Sequence, residues 1–127
     1  MILVDTSVWV DHLHRGAPAM ASLLEEERVV MHPFVMGELA CGDIRNRREV
    51  LHLLSTLPAA PVATDAEVLG MIERRKLMGR GLGYIDMHLL ASAALSGSRI
   101  WSRDRQLAAA AGELKVGFDE ARVKGEE

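Results

Sequence analysis

Short, wholly apolar runs alternate with longer stretches of helical periodicity along this chain. Ile2–Val4, Val29–Met31, Arg99–Ser102 and Leu114–Phe118 read as strands, and the first two carry no polar alternation, as expected where helices cover both faces of a sheet. Thr6 or Ser7 is placed to cap the first helix, and Gly16 breaks it. Pro18 suits the first turn of a second helix. A third helix opens at Pro33 and closes at Gly42, and a fourth runs over residues 46–57 until Pro58. Thr64 and Glu67 form a capping-box pattern that starts a helix reaching about Met78. A glycine-rich loop, residues 79–83, precedes a helix over 84–96 that Gly97 stops, and a last helix begins near Asp104 and closes at Gly112. Strands alternating with helices predict an α/β fold. The expectation is one domain over residues 1–127, with a mainly parallel central sheet of four to five short strands wrapped by helices and a frayed tail after about residue 118. In such folds the functional crevice lies beyond the carboxyl ends of the strands.

Composition changes that picture little. Aromatic residues make up only 4% of the chain, so Leu, Val, Ile, Ala and Met must fill the core, with Trp9 and Trp101 packed among them. Cys41 is the only cysteine, which excludes an intrachain disulfide framework, fits a cytoplasmic location and reads as a small buried hydrophobe rather than a zinc ligand. A secretory leader and a membrane span are not expected from the apolar runs present. The net charge of −3 argues against a broadly electrostatic nucleic-acid binder.

The acids change it more. Asp5 ends the first strand and Asp104 follows the strand at Arg99–Ser102, so both belong at the carboxyl edge of the sheet. Asp86 shares a helix face with Leu89, Leu90, Ala93 and Ala94, and Glu38 shares one with Phe34, Val35, Cys41 and Gly42. Helix-dipole assistance of about 1 kcal/mol does not offset the several kcal/mol that burial of a carboxylate can cost. By contrast Glu25, Glu26 and Glu27 are consecutive and read as solvated, as do Asp43, Glu49, Glu73 and Glu113. Each of the four singled-out acids also has a purely structural reading: Asp5 and Asp104 as helix caps, Asp86 as a first-turn dipole residue, Glu38 as an arginine partner. Those readings do not account for all four mapping to one sheet edge or to apolar helix faces.

Converging carboxylates repel, and each raises the pKa of its neighbours. A hard divalent cation resolves the conflict, since Mg²⁺ takes oxygen ligands and needs only one or two carboxylates plus substrate phosphate. Thr6, Ser7 and Ser102 can add hydroxyl contacts. The constellation predicts metal-assisted hydrolysis of a phosphodiester without a nucleophilic side chain, leaving a 5′-phosphate and a 3′-hydroxyl.

Four ordered motifs, "VDTSVWVD", "GELACG", "GLGYIDMHLLASA" and "IWSRDRQL", resemble the PIN-domain ribonucleases, specifically the VapC toxins of bacterial toxin–antitoxin pairs. The resemblance runs from Ile2 to about Leu107. It implies a PIN-like parallel sheet wrapped by helices, Mg²⁺ or Mn²⁺ dependence, endoribonuclease activity, a homodimer and neutralisation by a cognate antitoxin. It places Asp5, Glu38, Asp86 and Asp104 at the family's acidic positions, with Ser7 and Ser102 at the hydroxyl positions beside the first and last of them.

With the four acids set aside the remainder is slightly basic, and the charge is segregated. Arg45, Arg47 and Arg48 form one cluster, Arg74, Arg75, Lys76 and Arg80 another, and Arg103 and Arg105 flank Asp104. Such patches suit RNA phosphates or the antitoxin, and Arg103 is singled out because it adjoins the site. The five histidines lack metal-ligand spacing and read as surface or boundary residues. Met71 and Met78 read as core. The loop at residues 79–83 lacks the Lys-Ser/Thr pair of a P-loop. Two other readings stand beside the ribonuclease: a non-catalytic RNA-binding or regulatory module on the same scaffold, and a phosphatase or flap nuclease.

Overall fold

The computed structural model describes residues 1–125 of the chain. The elements are β1 (Ile2–Val4), α1 (Thr6–Arg15), α2 (Pro18–Glu25), β2 (Val29–Val30), α3 (Pro33–Cys41), α4 (Arg47–Ser55), α5 (Asp65–Arg75), α6 (Tyr84–Ser96), β3 (Arg99–Trp101), α7 (Arg105–Glu113) and α8 (Glu120–Gly125). The sheet is parallel with order β2-β1-β3, so the first strand is the central one. Ile2 lies opposite Val29 on one side and Arg99 on the other, and Val4 lies opposite Trp101.

The α/β class with a parallel sheet is as expected, but the strands are fewer than four to five: three are formed among the described residues. Two isolated parallel bridges, Met31 to Ala59 and Ile100 to Gly117, extend the two edges. The segment expected as a last strand does pair with β3, through Ile100 N–H to Val116 O at 2.6 Å and Phe118 N–H to Ile100 O at 2.8 Å. It stays a bridge because Lys115, at φ 61°, bends the chain immediately before it.

The core lies on both faces of the sheet. Leu3, Val8, Met20, Leu23, Leu77, Leu89, Leu90 and Leu107 are fully buried, and Trp9 and Trp101 are core residues as expected. Every residue from Met87 to Ala93 is buried, which makes α6 the central helix and Asp86 the last residue before its buried stretch.

Helix ends follow the capping chemistry with four corrections. Asp5, rather than Thr6 or Ser7, caps α1. The Thr64–Glu67 capping box forms, but α5 ends at Arg75, because Lys76 turns left-handed at φ 53°. Helix α7 runs through Gly112 to Glu113. The tail expected to fray instead forms α8: the Asp119 carboxylate accepts the Ala121 N–H at 3.0 Å, and Val123, one apolar residue in a charged segment, is buried. The remainder of that expectation, at residues 126–127, lies outside the described residues.

Some single-residue expectations also change. Cys41 is exposed at the end of α3, and Met78 is half exposed beyond α5, whereas Met71 is buried. His32 and His88 are buried rather than at the surface. His32 earns its place by capping α3: its Nδ1 accepts the Phe34 N–H at 3.0 Å. That bond requires a neutral ring with the proton on Nε2. Burial first, and the neighbouring His88 second, push the His32 pKa down from its ordinary value near 6.5 to about 4. A folded-state pKa below the unfolded one means that stability falls as pH drops from 6.5 towards 4, where only the unfolded chain takes up the proton. We expect urea-unfolding free energies measured over that window to fall less steeply in His32→Asn, which retains a capping oxygen, than in the parent chain. Equal slopes would remove His32 from the acid response.

Candidate active site

Asp5 stands where β1 ends, and its backbone N–H donates to Trp101 O at 2.9 Å, tying the carboxyl ends of β1 and β3 together. Its side chain is only 7% exposed, so its charge must be compensated locally. Oδ1 accepts the Thr6 N–H at 2.8 Å, and Oδ2 accepts the hydroxyls of Ser7 at 2.8 Å and Ser102 at 2.7 Å. Each serine is held in turn by a backbone donor: Arg103 N–H reaches Ser7 Oγ at 3.1 Å, and Asp104 N–H reaches Ser102 Oγ at 3.0 Å. The serines thus orient the first acid from two different strands' ends.

Asp104 is the N-cap of α7, its Oδ1 accepting the Leu107 N–H at 3.0 Å. Asp86 sits in the first turn of α6, and its Oδ2 accepts the Gly83 N–H at 3.0 Å. Glu38 projects from α3 and is exposed; its Oε1 accepts the Thr6 hydroxyl at 2.6 Å. Three of the four acids therefore occupy helix N-termini, as the structural readings had it. The four nonetheless share one field. The Asp86 pKa is raised by partial burial, opposed by the Gly83 N–H, and raised further by the charges of Asp5, Asp104 and Glu38. Asp5 and Asp104 thus cap helices while their charges also act on Asp86.

Among the described residues, no three His, Cys, Asp or Glu side chains close into a ready-made metal shell. The four acids offer oxygen donors alone, and the charges of Asp5, Asp104 and Glu38 all reach Asp86. That fits a hard cation such as Mg²⁺ or Mn²⁺, which keeps several waters and binds one or two carboxylates directly, and does not fit zinc.

The arginines divide. The Arg103 guanidinium, expected near the substrate, is engaged by Asp11 at 2.7 Å and Glu120 at 3.2 Å. Arg80 forms a two-pronged pair with Glu113 at 2.6 and 2.9 Å, and Arg47 donates to Ala40 O at 2.7 Å. Sequence reading missed Asp11 and Glu120 as partners of Arg103: Asp11 closes the first motif without being singled out, and Glu120 lies outside all four motifs. Beside Glu38 a cleft of about 780 Å³ opens, lined by Val10, Leu13, Leu39, Ile44, Val50 and Arg45.

A profile of the PIN domain matches residues 2–113, which include all four acids, and the chain belongs to the PIN-domain family, as a protein of the VapC type. It is 48% identical over 121 residues to Ribonuclease VapC32 of Mycobacterium tuberculosis, in strains CDC 1551 / Oshkosh and H37Rv alike, an alignment covering 94% of this chain and 98% of that protein. The fold is also that of FitAcB from Neisseria gonorrhoeae, with a TM-score of 0.63 at 21% identity over 95% of this chain and 99% of that one.

The raised Asp86 pKa has a stability consequence. The folded state holds the proton more tightly than the unfolded one, so a penalty absent at low pH is fully present once pH exceeds the folded pKa. We expect Asp86→Asn, which keeps an acceptor for Gly83, to raise the Tm of the metal-free protein at pH 7, with the gap closing as pH falls into the carboxylate range. Added Mn²⁺ should raise the Tm of the parent chain and not that of the variant. A less stable variant, or an equal response to Mn²⁺, would separate Asp86 from the charge cluster.

Proposed function

We propose that this chain is a metal-dependent endoribonuclease, the toxin of a type II toxin–antitoxin pair. One observation carries the reading: the Asp86 pKa is raised by burial and, against the lowering effect of the Gly83 N–H, by the charges of three other acids drawn from α3 and from the segments that follow β1 and β3. Side chains that disfavour one another's charge suit a site completed by a divalent cation. Similarity to a protein named a ribonuclease supports RNA as the substrate.

Asp5, fixed by three donors, is the rigid member and would anchor Mg²⁺ or Mn²⁺, with Asp86, Asp104 and Glu38 completing the donor set. When bound, such a cation supplies an activated water and a Lewis acid for the phosphodiester. The protein's residues do the rest by placement. Ser7 and Ser102 keep the Asp5 carboxylate oriented, and Thr6 does the same for Glu38. The three helix N-termini behind the acids reduce the cost of assembling their charge.

The cleft beside Glu38 mixes the apolar Val10, Leu13, Leu39, Ile44 and Val50 with the charged Asp43 and Arg45, a mixture that suits a peptide segment of the cognate antitoxin. A homodimer and a cytoplasmic location complete the proposal. No helix among the described residues is long and apolar enough to cross a membrane.

Incubation with total RNA should yield discrete fragments ending in 5′-phosphate and 3′-hydroxyl, and a chelator should stop the reaction. Asp5→Ala should lower kcat by at least about 100-fold, as expected when a ligand to the catalytic ion is lost. RNA binding without cleavage, indifferent to chelator, would replace the nuclease with a binding module.

A further inference from the structure

Arg103 lies between Ser102, which holds Asp5, and Asp104, which is itself one of the four acids. Its guanidinium spans two carboxylates outside those four: Nη1 donates to Asp11 of α1 at 2.7 Å, and Nη2 donates to Glu120 of α8 at 3.2 Å. The same group lies over the Trp101 ring, with Cζ 5.6 Å from its centre. Its backbone N–H donates to Ser7 Oγ at 3.1 Å, and that hydroxyl donates to Asp5. One residue therefore connects α1, α8 and β3 to the Ser7 hydroxyl directly, and sits between Ser102, the second hydroxyl that orients the first acid, and Asp104, whose N–H holds it.

We infer that Arg103 is a positioning residue: the Asp11–Arg103–Glu120 clamp fixes the Ser102–Asp104 loop and through it two of the four acids, and Glu120 makes α8 part of the support of the active site. Ion pairs that are one-third exposed contribute little to global stability. A planar fork held by two carboxylates above an indole gives orientation instead. The role also explains how a C-terminal segment with no chemistry of its own bears on the site. Its activity and Mn²⁺ readouts rest on the proposed metal-dependent ribonuclease, whereas its hydrogen-exchange readout does not.

The competing role for Arg103 is a direct contact to RNA phosphate, and the two roles predict opposite signs. Arg103→Gln and the double variant Asp11→Asn/Glu120→Gln are made in the full chain. Positioning predicts that both speed hydrogen exchange at the Arg103 and Asp104 amides. Both should weaken Mn²⁺ binding without RNA by about 10-fold and lower kcat by a similar factor, as loss of outer-shell support does. Neither should change the salt dependence of KM, and Arg103→Lys should recover little, since it keeps the charge and loses the fork. A phosphate contact predicts that Arg103→Gln lowers the salt slope by about one, while the double variant binds RNA more tightly. That result would overturn the inference, as would unchanged exchange and unchanged Mn²⁺ affinity. A parent chain that neither cuts RNA nor binds Mn²⁺ would sink the ribonuclease reading, whereas the exchange measurement would still decide the clamp.

Discussion

A buried negative charge at the end of the central strand is the constraint around which this molecule is arranged. Asp5 is almost wholly removed from water, yet both of its oxygens have donors, and those donors come from the start of α1 and from the loop after β3. Unpaired, such a carboxylate would cost several kcal/mol or take up a proton. Paired as it is, it joins elements 97 residues apart in the chain. The hydroxyls of Ser7 and Ser102 are thus as much part of the fold as of the chemistry.

The same economy runs through the other acids. Asp104 and Asp86 each accept a backbone N–H at the beginning of a helix, so each has a local structural role that a cap could fill in any protein. What an ordinary first-turn acid lacks is the charge of three other carboxylates, which with burial raises the Asp86 pKa. The fold thus concentrates negative charge at one edge of the sheet. Relief by a bound cation would couple stability to metal binding.

Much of this was legible in the residues. The apolar runs at Ile2–Val4 and Val29–Met31, the capping box at Thr64 and the glycine at position 97 located the elements, because each signal is local. Of the four acids, Asp86 stood out by its apolar neighbours, and α6 proved to be the buried central helix, whereas Glu38, read on an apolar helix face, is exposed. What escaped was decided by distant packing. His88 packs against Phe34, 54 positions earlier and 4.7 Å from ring to ring, whereas His32 meets the same ring at 5.1 Å as its near neighbour in the chain and is buried in the cap of α3. Helix α8 hides a single buried valine among charges, and the partners of Arg103 are 92 and 17 residues away. No periodicity reports such pairings.

The position of β1 also governs when the acids can meet. It is the first strand in the chain and the middle strand of the sheet, so its second neighbour, β3, does not exist until residue 101 has been made. Pairing at such separation is slow to form, and it cannot be replaced by any local contact. A growing chain can close the β1–β2 ladder early and already holds Asp5 through Thr6 and Ser7 and Glu38 through Thr6, but it lacks Ser102 and Asp104 until β3 has been made. The first acid therefore gains its last donor, and the acid group its last member, only when β3 docks beside β1.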